Sequence, residues 1–159
     1  MINQKLLEDI STILKNKNLK IAIAESATGG LIASSFTNIS GSSEYFDRGL
    51  VTYSNKSKIE LLDVKKESLE IYGTVSSEVA KEMAEGVRKK SDVDIGVSTT
   101  GIAGPTGGTN EKPVGLVFIG LCLSDKTIVK KYQFDGNRLE NKENFCNKAL
   151  SLIHENIKV

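Results

Sequence analysis

The chain has 159 residues, 39% of them hydrophobic and 26% charged, enough for one buried core without disulfides or metal, so a single domain over residues 1–159 is expected. Lysine and arginine number 21 against 20 aspartates and glutamates, a net charge of +1. No global field therefore draws the protein to nucleic acid or a membrane surface, and any basic site has to be local. The one histidine, His154, lies near the C-terminus, and Cys122 and Cys146 lack metal-type spacing, which argues against a Ser-His-Asp triad, a zinc site and a disulfide. Carboxylates holding magnesium with a substrate phosphate stay open. No apolar run is long enough for a signal peptide or a spanning helix, so a cytoplasmic protein is expected.

Ile2, Leu6, Ile10, Ile13 and Leu14 share one helical face, and residues 19–24 read as a first strand. Thr28-Gly29-Gly30 makes a turn before a helix carrying Leu31, Ile32, Ala33 and Phe36. That puts Glu25 and Ser26 at the C-terminal end of a strand, where α/β sheets place their ligands. Residues 49–53 suit a second strand. Ser54-Asn55 supplies N-cap chemistry for a helix with Lys58, Ile59 and Leu62. A helix over 76–90 buries Val79, Ala80, Met83, Ala84 and Val87.

Residues 93–99 read as a strand running into a glycine-rich loop over 101–109. The nearly all-apolar run 114–123 suits a strand covered on both faces. Its hairpin partner is 127–134, joined through Ser124-Asp125-Lys126. A last helix turns Phe145, Ala149, Leu152, Ile153 and Ile157 inward. This alternation predicts an α/β fold of three layers, α/β/α, around a mixed, mostly parallel sheet containing one antiparallel strand.

Three stretches have residues that suit chemistry. In Ala24-Glu25-Ser26-Ala27-Thr28-Gly29-Gly30 a hydroxyl stands at a tight turn before a helix whose free N–H groups suit an anion. The motif lacks the Walker Gly-Lys-Ser/Thr and the dinucleotide glycine spacing. By itself it fits a helix cap at Ser26 or Thr28 better than a nucleophile. Tyr53-Ser54-Asn55-Lys56-Ser57-Lys58 puts two lysines early in a helix, where the backbone dipole disfavours them. A neutral Lys58 would serve as a base for a serine hydroxyl; two solvated surface charges are the plainer alternative. Glycines 101, 104, 107 and 108 would let main chain approach a ligand closely, or merely form a mobile turn.

In order and spacing, Ala24-Glu25-Ser26-Ala27-Thr28-Gly29-Gly30, Gly49-Leu50-Val51-Thr52-Tyr53-Ser54-Asn55, Gly101-Ile102-Ala103-Gly104-Pro105 and Lys112-Pro113-Val114-Gly115 closely resemble the CinA C-terminal family. The resemblance runs from about Leu6 to the final helix and is to the family's stand-alone nicotinamide-nucleotide amidohydrolases. It implies hydrolysis of the carboxamide of nicotinamide mononucleotide to nicotinate mononucleotide and ammonia, in pyridine nucleotide salvage. No cofactor, metal, nucleic acid or membrane is expected to take part, and the protein is expected to be a homodimer.

Carried over by motif, the nucleophile falls on Ser26, the lysine base on Lys58 and the supporting tyrosine on Tyr53. Thr28, Gly29 and Gly30 become candidate phosphate or ribose contacts. Gly101, Ala103 and Gly104 become part of the substrate site, and Arg138, in Phe134-Asp135-Gly136-Asn137-Arg138, a candidate phosphate contact. Relatives often carry cysteine where Ala27 stands and aspartate where Asn137 stands; the first departure leaves catalysis untouched and the second weakens the case for Arg138. One rival reading is a nucleotide-binding or regulatory module without turnover, which retention of Ser26, Tyr53 and Lys58 together opposes. The other is a nucleic-acid binder, which balanced charge and 6% aromatics oppose.

Overall fold

Alternating signals along the chain become alternating helices and strands. The computed structural model describes residues 1–159. In order they are α1 (Gln4–Lys17), β1 (Ile21–Glu25), α2 (Leu31–Thr37), a 3-10 turn (Ser42–Glu44), β2 (Phe46–Val51), α3 (Asn55–Leu62), α4 (Lys66–Tyr72), α5 (Ser77–Ser91), β3 (Ile95–Gly101), β4 (Leu116–Cys122), β5 (Thr127–Gln133) and α6 (Arg138–Ile157). Small polar side chains set the helix limits. Asn3, Ser54, Ser76 and Asn137 cap helix starts by accepting main-chain N–H bonds. Asn18, Asp63 and Asp92 end α1, α3 and α5 in the left-handed conformation, which short polar side chains tolerate better than branched ones.

The five strands lie in the order β2-β1-β3-β4-β5. β1 is parallel to β2 and β3, while β3–β4 and β4–β5 are antiparallel, so β4 alone runs against the other four. The expected mixed, mostly parallel sheet is present. Its odd strand is the apolar run leading into the hairpin, because the loop after β3 turns the chain straight back alongside it.

Side chains of β1 alternate between two cores, as the two-residue period of a strand requires. Ile21 and Ile23 join Leu7, Ile10, Leu14, Phe36, Phe145 and Ile153 beneath α1, α2 and α6. Ala22 and Ala24 face Leu62, Leu69, Val79, Met83 and Val87 beneath α3, α4 and α5. The small-residue face brings α5 close: a Cβ on Gly96 would lie 2.2 Å from the Ala84 carbonyl oxygen, and one on Gly120 2.6 Å from that of Ala80.

Two readings need correction. The second strand is Phe46–Val51, so Thr52 and Tyr53 leave the sheet as part of the turn into α3. Helix α4 was not foreseen: Lys65 at its N-cap makes no side-chain capping bond, and without a start signal a seven-residue helix has little pattern to show. No helix is long and apolar enough to cross a membrane.

Candidate active site

Because β1, β2 and β3 are parallel, their C-terminal ends share one edge of the sheet, and the site is assembled there. Ser26 follows β1 directly. Its N–H donates to the Thr99 carbonyl at 3.0 Å, tying the turn to β3. The turn closes with Gly29 N–H to the Ser26 carbonyl at 3.1 Å and with the Thr28 and Thr99 hydroxyls 2.8 Å apart. Gly29 (φ 58°) and Gly30 (φ 101°) adopt left-handed conformations, which explains the glycine pair without a ligand.

The N-terminus of α2 is not free. The buried Glu25 carboxylate accepts from the N–H groups of Gly30 (3.1 Å), Ile32 (3.1 Å) and Ala33 (2.8 Å). Three sequence candidates therefore change meaning. Thr28 is 0% exposed and committed to Thr99, the N–H of Gly29 is spent within the turn, and that of Gly30 on Glu25. The hydrogen-bonding groups with which these residues would hold a phosphate or ribose are thus already engaged, although Gly29 itself is exposed. The N–H groups of Ala27 and Thr28 make no hydrogen bond within the protein, and they stand immediately after the Ser26 hydroxyl.

Lys58 reaches Ser26 from the next strand-to-helix turn. Ser54 caps α3 by accepting from the Ser57 N–H at 3.0 Å, which sets Lys58 in the helix's second turn, pointing inward. Its side chain is fully buried. Nζ lies 3.1 Å from Ser26 Oγ, 2.6 Å from the Thr52 carbonyl oxygen and 3.4 Å from that of Tyr53. No carboxylate forms an ion pair with it, so burial goes uncompensated and lowers its pKa from 10.5 to about 8. About a tenth of the amine is then uncharged at pH 7. The other early lysine, Lys56, is exposed and pairs with Glu60 at 3.7 Å, as a surface charge does.

Ser26, Ala27, Tyr53, Thr74, Gly101, Ala103 and Arg138 line a cleft of about 180 Å³. The Tyr53 ring is exposed, and its hydroxyl accepts from Arg138 Nη2 at 3.3 Å. Only the main-chain carbonyl of Tyr53 meets Lys58, so the hydroxyl does not bridge the serine and the lysine. Arg138 opens α6, and its Nη1 donates to the Gly104 carbonyl at 2.6 Å. Gly101 and Gly104 owe their lack of a side chain to packing: a Cβ would meet the Leu116 carbonyl oxygen at 2.6 Å and Val114 Cγ1 at 2.3 Å, respectively. Ala103 and Arg138 also border a neighbouring apolar groove of about 530 Å³ with Pro105, Val114 and Leu139.

Sequence reasoning missed four residues here. Glu25 and Thr99 hold the serine turn. Thr74 lines the cleft while its hydroxyl donates to Asn55 Oδ1 at 2.7 Å. Buried Asn141 donates through Nδ2 to the carbonyls of Ala103 and Gly136, both at 2.9 Å, and accepts from the Gly136 N–H at 3.1 Å. A legible signal existed for Asn141, a polar residue in the apolar stripe with Phe145 and Ala149, and for Glu25, a charge closing an apolar strand. No three His, Cys, Asp or Glu side chains gather as a metal site would need. The largest concavity, about 710 Å³, lies at the opposite sheet edge, is walled mostly by charged side chains such as Lys81, Glu85, Arg88 and Lys89, and includes neither Ser26 nor Lys58.

Comparisons with known proteins point to one family. The CinA C-terminal domain pattern matches residues 3–157. A CinA-like protein of Chloroherpeton thalassium is 53% identical over 94% of this chain. A Clostridium botulinum protein, provisionally named competence-damage inducible, is 52% identical over 96%. The chain spans about 37% of the length of each of these relatives. Among solved structures, the competence/damage inducible protein CihA of Agrobacterium tumefaciens superposes with a TM-score of 0.92 at 38% identity, covering 96% of this chain and 95% of its own. A CinA-superfamily protein of Escherichia coli gives 0.92 at 30%, covering 96% and 89%. With the family pattern matched over residues 3–157, relatives 52% and 53% identical over nearly the whole chain and the same fold in solved members, the chain belongs to the CinA C-terminal domain family.

Proposed function

We propose that the protein is an amidohydrolase that deamidates nicotinamide mononucleotide through Ser26 and Lys58. The observation that carries this reading is a fully buried amine without a counter-ion, 3.1 Å from a serine oxygen at the mouth of a small cleft. Uncharged Lys58 takes the proton of the Ser26 hydroxyl as Oγ adds to the carboxamide carbon. The oxyanion that forms is met by the unspent N–H groups of Ala27 and Thr28, donors typically worth about 3 to 4 kcal/mol each. On collapse the C–N bond breaks, and Lys58 returns the proton to the departing ammonia. Water then adds to the seryl ester and gives its proton to Lys58. Cleavage of the ester restores the Ser26 hydroxyl and releases nicotinate mononucleotide.

Arg138, at the lip of the cleft, meets the phosphate, and Tyr53 holds that guanidinium from the other side. A cleft of about 180 Å³ is smaller than sites that take a whole ligand, usually some 300 Å³ or more. It suits the pyridine carboxamide, with the ribose phosphate leaving past Arg138.

The test is ammonia release from purified protein and nicotinamide mononucleotide in the presence of a chelator. Wild type is expected to turn over and Ser26→Ala to lose at least about a thousandfold in rate. Undiminished turnover by Ser26→Ala would remove the nucleophile from this mechanism.

A further inference from the structure

We infer that Glu25 is a positioning residue of the reaction, holding the turn that presents the Ser26 hydroxyl together with the N–H groups of Ala27 and Thr28. The inference rests on the reading of Ser26 as nucleophile. Glu25 closes β1, is 0% exposed and has no lysine or arginine paired with it. Its two oxygens are surrounded by three donors, the N–H groups of Gly30, Ile32 and Ala33, at 2.8 to 3.1 Å.

A carboxylate accepts at every lone pair, and the positive end of a helix offsets part of its burial. Glutamine would turn an NH₂ toward an N–H, and aspartate falls one methylene short. The chain's other side-chain caps, Asn3, Ser54, Ser76 and Asn137, sit immediately before their helices. Glu25 instead reaches from the strand across the whole turn, so the segment containing Ser26, Ala27 and Thr28 is clamped at both ends. Thr99 pins its start through the Ser26 N–H, and Glu25 pins its finish at Gly30. The two unspent N–H groups are thereby aimed.

The experiment uses the full chain with Glu25→Gln and Glu25→Asp. Circular dichroism and thermal melting report the fold. Ammonia release from nicotinamide mononucleotide gives kcat and KM, and mass spectrometry follows phosphonylation of Ser26 by a fluorophosphonate. In the folded variants kcat and the phosphonylation rate are expected to fall about 10- to 100-fold with KM within about threefold. The activity limb near pH 8 is expected to stay in place, since Glu25 does not touch Lys58. Wild-type rates per folded molecule, or loss of the fold in both variants, would assign Glu25 to stability alone and overturn the inference. Wild type labelled at Ser26 but inert toward the amide would refute the proposed substrate while the labelling rates still decide Glu25. Wild type that is not labelled at Ser26 would overturn both.

Discussion

The ammonium of Lys58 loses most of its hydration on folding, and nothing anionic replaces it. Its folded-state pKa, about 8, lies below the ordinary 10.5. The penalty is therefore fully present below pH 8 and is relieved as the pH rises from 8 to 10.5, where the folded protein has released a proton that the unfolded chain keeps. Relative to Lys58→Met, wild type is expected to gain about 2 to 3 kcal/mol of stability between pH 7 and pH 10, read from urea unfolding at each pH. A gap that stays constant with pH would show that the amine is hydrated. Ammonia release from nicotinamide mononucleotide is expected to follow the same group, with a rising limb near pH 8. Lys58→Arg, which stays charged, is expected to be inactive across that range. At this scale the residue types were legible, a serine at a turn and a lysine where the helix dipole disfavours one. The 3.1 Å between them was not, because they lie 32 positions apart and meet only through the pairing of β1 with β2.

Helix α6 illustrates what an element adds. Its capping box, Asn137 with Glu140, starts the helix where Arg138 projects over the cleft. One turn further on, Asn141 fastens the 103–104 loop and Gly136 to the helix. Asn141→Leu keeps the volume but strips partners from buried carbonyls. It is expected to cost about 1 to 3 kcal/mol in chemical denaturation and to raise KM more than it lowers kcat, because it loosens the cleft wall rather than the serine turn. Arg138→Ala is expected to raise KM for the mononucleotide while leaving that for nicotinamide riboside, which lacks the phosphate, within about twofold. A similar loss with both substrates would remove the phosphate from Arg138. The motif before α6 was readable in the sequence; the anchoring by Asn141 was not, since a lone polar residue in an apolar stripe does not name its partner.

Across the whole molecule, close contact between backbones decides where α3, and with it Lys58, comes to rest. Gly86 in α5 lies under the end of α3, and a Cβ there would fall 1.9 Å from the Leu62 carbonyl oxygen. Gly86→Ala has to push α3 away. The expected cost is about 1 to 3 kcal/mol of stability, together with a fall in kcat of about 100-fold as Lys58 withdraws from Ser26. A stable Gly86→Ala protein with full activity would show that α3 yields without moving its lysine.

Local rules determined much of this protein from its sequence alone. Periodicity, caps and turn residues act over a few positions, so the three-layer α/β/α class and most elements were readable in one dimension, while Ser26 and Lys58 stood out as a pair only through the resemblance of their motifs to a family. Only the tertiary structure decided that β4 is the strand running backwards, that the Glu25 carboxylate sits at the start of α2, and that the Thr28 hydroxyl is engaged by Thr99. The strand pairing and the Thr28–Thr99 contact join groups far apart in the chain, and the Glu25 contacts need the turn folded back on its strand, so distant and nearby partners compete for the same hydrogen bonds. Such competition is settled by which partner lies within about 3 Å once the layers have packed.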